Sequence, residues 1–214
     1  MLDFERLSAT DVTTDPFPFL IVPQFVKSAS RDALDADYPK IERYGSFPLH
    51  SLAYGSAFKA LIEDLTGPRM RAIVAKKFDL TLDDKPVMVT VRGMCTARDG
   101  NIHTDSTTKL ITMLFYTNRN WECASARLRL LRSAHSLDDY AAEVPAEEAT
   151  LVAFRNGPNA WHGFAPFHGP RRVIQVNWVT NSGVVRREQA RHRVSAFFKR
   201  LFRGGAQAGY AAQN

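Results

Sequence analysis

Residues 86–105 read Pro-Val-Met-Val-Thr-Val-Arg-Gly-Met-Cys-Thr-Ala-Arg-Asp-Gly-Asn-Ile-His-Thr-Asp, and the reading of the whole chain turns on them. Before this stretch the apolar residues Met70, Ile73, Val74 and Phe78 recur at helical spacing. From Lys85 onward the period changes to that of strands. Residues 87–96 predict the first of them, and Arg98-Asp99-Gly100-Asn101 is turn chemistry. His103-Thr104-Asp105 follows that turn directly.

Further strands are expected at 110–117, 127–132, 149–154 and 172–180. A second turn, Asn156-Gly157-Pro158-Asn159, stands just before Trp161-His162. Toward the N-terminus, Phe17 to Val26 carries Pro18 and Pro23, which suits a strand at a sheet edge. Ser28 is expected to cap a helix reaching about Tyr38, and residues 40–55 look irregular. A second helix is expected from Ser56 to Leu65, ended by Gly67, and Pro68 suits the first turn of a third over 68–78. Short strands with polar residues on their turns predict an α+β protein. It would be a barrel or jelly roll (a double-stranded β-helix) behind an N-terminal helical layer, with a basic helix at the C-terminus. One domain would span 1–185, with its core at 85–180.

At 214 residues the chain is long enough to bury one substantial core, and 45% hydrophobic and 23% charged residues are ordinary for a globular protein. No apolar run approaches the ~20 residues of a membrane span. The opening Met1-Leu2-Asp3-Phe4-Glu5-Arg6 carries an acidic pair and no long apolar stretch, so no secretory signal is expected there. Cys95 and Cys123 form no framework spacing and are expected as free thiols, which fits a reducing cytoplasm.

The net charge of +6 is concentrated in one segment. Residues 186–203 hold seven basic residues and one acid, Glu188, so the rest of the chain is neutral. Basicity is therefore no sign of a nucleic-acid partner. Val194, Phe197, Phe198, Leu201 and Phe202 recur at helical spacing within that segment. A basic amphipathic helix follows, expected to dock on the domain or on a partner subunit. The alternative is peripheral contact with an anionic inner-membrane surface. Residues 204–214 are rich in Gly, Ala and Gln and are expected to be disordered.

His103 and Asp105 follow one turn between strands, and His162 follows another. Two imidazoles and one carboxylate are the facial set that holds Fe(II) and leaves open positions. Ten residues beyond His162 stands Arg172, which alternation places on one face with Ile174, Val176 and Trp178. A buried arginine calls for an anion, and a dicarboxylate would supply one. On the strand 110–117, Leu110, Thr112, Leu114 and Tyr116 share a face, and Tyr116 could offer its hydroxyl to the same carboxylate. Arg171 falls on the opposite face of its strand, so Arg172 is preferred. Arg92 either faces the pocket or is ion-paired, and His168 reads as a solvated loop histidine. His50, His135 and His192 match no ligand spacing.

The segments Thr112 to Trp121, Leu128-Arg129-Leu130 and His162 to Phe167 running into Arg171-Arg172 resemble the 2-oxoglutarate/Fe(II)-dependent oxygenases of the prolyl-4-hydroxylase-like group. The resemblance covers about 85–180. It implies that His103, Asp105 and His162 ligate iron and that Arg172 and Tyr116 bind 2-oxoglutarate. It departs at Ser125-Ala126, where relatives often have Gly-Gly, and at Met94, where many have tyrosine. The implied activity is hydroxylation by O2, with release of succinate and CO2. The substrate would be a small molecule or peptide, with a cell-envelope carbohydrate, a lipid or a peptidyl side chain as the classes considered. The rival readings are a non-catalytic jelly roll that binds a small acid and a nucleic-acid demethylase of the same chemistry.

Overall fold

The computed structural model describes residues 1–123, 125–187 and 190. Helix α1 (Phe4–Ala9) starts at Asp3, whose carboxylate accepts the Arg6 backbone N–H. Helix α2 (Arg31–Asp37) follows a 3-10 turn at Ser28–Ser30, so Ser28 opens that turn instead of capping the helix. Helices α3 (Ser56–Thr66) and α4 (Pro68–Phe78) are separated by Gly67 alone, with Pro68 in the first turn of α4. The sequence reading had no helix at α1. Six residues are too few for the period to show.

Among the described residues nine strands form two antiparallel sheets. The larger contains β1 (Phe19–Val22), β2 (Phe47–Pro48), β3 (Val87–Cys95), β4 (Lys109–Tyr116), β7 (Leu151–Arg155) and β9 (Gly169–Val179). Its order is β1-β7-β4-β9-β3-β2, which leaves β1 at an edge, as its flanking prolines require. The smaller sheet has the order β6-β5-β8, from β5 (Leu128–Leu131), β6 (Tyr140–Val144) and β8 (His162–Gly163). Strand β6 escaped the sequence reading because Tyr-Ala-Ala-Glu-Val has no clear alternation of apolar and polar residues.

Both faces of the larger sheet are buried, each in a different core. Ile111, Met113 and Phe115 of β4, and Ile174, Val176 and Trp178 of β9, pack with Phe58, Leu61 and Leu65 of α3. The alternate residues Tyr116 and Val173 join Leu128, Leu130 and Phe154 in a second core shared with the smaller sheet. Register fixes this division. Ile111 lies opposite Trp178 and Met113 opposite Val176, while Thr112 lies opposite Asn177 and Leu114 opposite Gln175. The larger sheet is thus the middle of three layers, and its inner face looks toward the smaller sheet.

The segment 186–203 and the tail 204–214, read above as a basic helix and a disordered end, lie outside the described residues beyond Arg187, apart from position 190. Residues 182–187 are helical. Among the described residues no helix is long and apolar enough to cross a membrane. Cys95 and Cys123 are free thiols.

Candidate metal centre and its pocket

The smaller sheet brings the two histidines together through the backbone. His103 and His162 form an antiparallel bridge and exchange two N–H···O bonds of 3.0 Å each. Residues directly opposite in such a pair project to the same face. The two imidazoles therefore sit side by side, with ring centroids 4.3 Å apart. The pairing continues one step further, where the Phe164 N–H donates to the Gly100 carbonyl at 2.8 Å. Gly100 has φ +84°, and a Cβ there would come within 2.6 Å of the Phe164 ring. The glycine of the turn is thus what lets the His103 segment lie against β8.

Each ring is tethered by its Nδ1. His103 Nδ1 lies 2.7 Å from the Asn101 carbonyl and His162 Nδ1 2.9 Å from the Ala160 carbonyl. A carbonyl only accepts, so both Nδ1 atoms carry a proton, which leaves Nε2 as the ring atom on each histidine for a ligand contact. Asp105 completes the set. Ligand atoms of His103, Asp105 and His162 lie within 4.8 Å of one another. Burial, together with the neighbouring His103 ring, lowers the His162 pKa to about 4, so the imidazole is neutral near pH 7. Burial alone would raise the Asp105 pKa. The Lys109 ammonium, the His162 ring and hydrogen bonds from Lys109 and Thr112 outweigh it and hold the carboxyl below its ordinary value. Two imidazoles and an ionised carboxylate on one side of a cavity fit a divalent iron. The sequence-predicted trio therefore converges in space.

The trio opens on a cavity of about 250 Å³ between the two sheets, whose wall includes Thr112, Leu114, Leu128, Arg171 and Gln175. Here the structure corrects one expectation. Arg171, not Arg172, faces the cavity. Arg171 is 3% exposed, donates from Nε to the Ala126 carbonyl and from Nη2 to the Tyr116 hydroxyl, both at 3.1 Å, and stacks 4.2 Å over the Phe164 ring. Arg172 projects to the helical side. Its Nη1 pairs with Asp35 of α2 at 2.5 Å, and its guanidinium lies over the Tyr38 ring.

Strand β9 alternates as its sequence predicts, but the two faces lie the other way round from the expectation. The face shared by Arg172, Ile174, Val176 and Trp178 is apolar because it meets the helices, whereas the cavity face carries Arg171, Val173, Gln175 and Asn177. Tyr116 and Arg172 could not both have faced the cavity, since they lie on opposite faces of one sheet.

Among the described residues no carboxylate pairs with Arg171. Tyr116 is fully buried, and burial raises its pKa despite Arg171, so the phenol stays protonated. It accepts from Arg171 and keeps its own proton to donate. Arg92 both lines the cavity and is ion-paired, with Asp99 at 2.7 Å. His168 meets the exposed Tyr44 hydroxyl at 2.9 Å. The sequence reading gave no site role to Lys109, Thr112, Gln175, Asn156 or Asn177. Lys109 stands one helical turn's spacing from Asp105, but in a loop-to-strand segment that spacing carries no signal.

No protein-family model matches the sequence, and neither does any curated protein. Solved structures do match. A prolyl 4-hydroxylase from Phytophthora capsici is similar at TM-score 0.56 and 14% identity, over 85% of this chain and 67% of that one. A prolyl-4-hydroxylase from Pseudomonas putida is similar at TM-score 0.52 and 14% identity, over 83% and 97%. A 2OG-Fe(II) oxygenase family oxidoreductase from Burkholderia pseudomallei is similar at TM-score 0.51 and 11% identity, over 83% and 90%. The chain shares the fold of these oxygenases.

Proposed function

We propose that this chain is an Fe(II)- and 2-oxoglutarate-dependent dioxygenase, built on a double-stranded β-helix, that hydroxylates a small-molecule or peptide substrate. The observation that carries the reading is the convergence of His103, Asp105 and His162 on a cavity that also holds Arg171, a buried cation with no carboxylate partner among the described residues. A cavity of about 250 Å³ lies below the ~300 Å³ at which pockets begin to suit larger ligands, and so favours a small acid.

His103, Asp105 and His162 would hold the iron, whose chemistry when loaded with 2-oxoglutarate and O2 is oxidative decarboxylation coupled to C–H hydroxylation. The protein's residues bind and orient. The Nδ1 tethers fix both imidazoles with their lone pairs turned inward. The Arg171 guanidinium, flattened against Phe164 and held by Ala126 and Tyr116, takes the distal carboxylate of the co-substrate through a charge-assisted contact. Tyr116 holds that guanidinium and adds a phenolic proton. Leu114 and Leu128 supply apolar walls that keep water from the middle of the cavity. Against the non-catalytic reading stands the placement of His103, Asp105, His162 and Arg171 around one cavity. A screen for succinate release over sugars, lipids and peptides tests the proposal. Substrate-stimulated release that is lost in His162→Ala supports it, and no release under any condition contradicts it.

A further inference from the structure

Two of the three proposed metal ligands are placed by the backbone, and the third is not. His103 and His162 are locked by their mutual bridge and by their Nδ1 tethers. Asp105 lies two residues past that bridge in a segment with no strand pairing. Only side chains hold its carboxylate. Lys109 Nζ donates to Oδ1 at 2.7 Å and the Thr112 hydroxyl donates to Oδ2 at 2.5 Å.

The direction of the Thr112 bond is forced. A hydroxyl has one proton and two acceptor lone pairs. Asn177 Nδ2 donates to Thr112 Oγ1 at 2.8 Å and Asn156 Nδ2 donates to it at 3.0 Å. With both lone pairs occupied, the proton has Asp105 Oδ2 as its acceptor. The cluster draws on three strands or their ends. Thr112 is on β4, Asn177 lies directly opposite it on β9, and Asn156 follows β7. Thr112 and Asn177 are each 1% exposed. No packing reason demands Thr112 and Asn177 opposite each other on the sheet's inner face with Asn156 just after β7, and a core without them would be simpler to satisfy.

We propose that Thr112, aimed by Asn156 and Asn177, is a positioning residue that fixes the Asp105 carboxylate for metal binding. The bond is directional, so it selects one carboxylate orientation and ties the loop ligand to the rigid sheet. This inference rests on the proposed metal centre. Partners of metal ligands commonly affect affinity by about 10- to 100-fold.

The test is Mn(II) titration by calorimetry, with Co(II) absorption as a second readout, on wild type, Thr112→Val, Thr112→Ser and Asp105→Ala, each checked for its melting transition. Wild type should bind one metal and Asp105→Ala should lose it. Thr112→Val should bind about 10- to 100-fold more weakly, with an altered Co(II) spectrum, and Thr112→Ser should restore both. If Thr112→Val does not fold, Thr112→Ala takes its place with the same expectation. Wild-type-like binding and spectrum in Thr112→Val, or equal loss in Thr112→Ser, overturns the proposal while leaving the metal centre intact. Failure of wild type to bind, or unchanged binding in Asp105→Ala, overturns the metal centre and this proposal with it.

Discussion

His103 and His162 face each other across an antiparallel bridge, each donating its backbone N–H to the other's carbonyl at 3.0 Å. The geometry of the candidate metal site is thus written into strand pairing. Residues far apart in sequence acquire a common face through two hydrogen bonds, and Gly100 makes that approach sterically possible. A side chain at Gly100 should therefore act on the site and not only on the turn. Gly100→Ala is expected to strain a backbone at φ +84° and to push against Phe164. A lowered melting temperature together with weakened metal binding is the expected result.

The two neighbouring arginines should separate cleanly. Arg171→Ala removes the proposed charge-assisted contact to the co-substrate, of the class worth roughly 1.5–3 kcal/mol. The apparent 2-oxoglutarate requirement should therefore rise about 10- to 100-fold with metal affinity little changed. Arg172→Ala breaks a half-buried pair with Asp35 and a stack on Tyr38. It should cost about 1 kcal/mol or less, a shift of about 2–4 °C in melting temperature, and leave the co-substrate requirement alone. Steady-state kinetics and thermal melts on both variants check the pair. The opposite pattern would reverse the face assignment of β9.

The helical layer is expected to be integral to the sheet. Trp178 is fully buried on the face that meets the helices. Trp178→Ala should cost about 3–5 kcal/mol, measured by denaturant unfolding, because a cavity opens between the layers.

Acid should destabilise the metal-free protein through His162. Its pKa is about 4 in the folded state against an ordinary value of 6.5. Between those values the unfolded chain binds the extra proton, so stability falls as pH drops from 6.5 toward 4. In the presence of chelator, His162→Gln should flatten that part of the stability profile, measured by denaturant unfolding at stepped pH.

The legible part of this chain is the part governed by period and punctuation. Helices α3 and α4 appear in the spacing of Met70, Val74 and Phe78 and in the Gly67-Pro68 pair. The strands β3, β4, β7 and β9 appear within a few residues of their bounds. The three residues of the candidate metal centre were legible because the turns before them are. Which face of β9 looks into the cavity was not legible. A sheet covered on both sides gives its more apolar face to the helices, and an arginine beside Ile, Val and Trp misleads there. The side chains that hold Asp105 were also hidden, since Thr112, Asn156 and Asn177 meet only through pairing among β4, β7 and β9.

The most direct measurement is an anaerobic titration of Fe(II) and 2-oxoglutarate, following the visible charge-transfer absorption of the chelated pair. The account predicts a band saturating at one equivalent of each in wild type. The band should be absent in His162→Ala and should appear only at raised 2-oxoglutarate in Arg171→Ala. No band in wild type, or an undiminished band in His162→Ala, would contradict the assignment of the site.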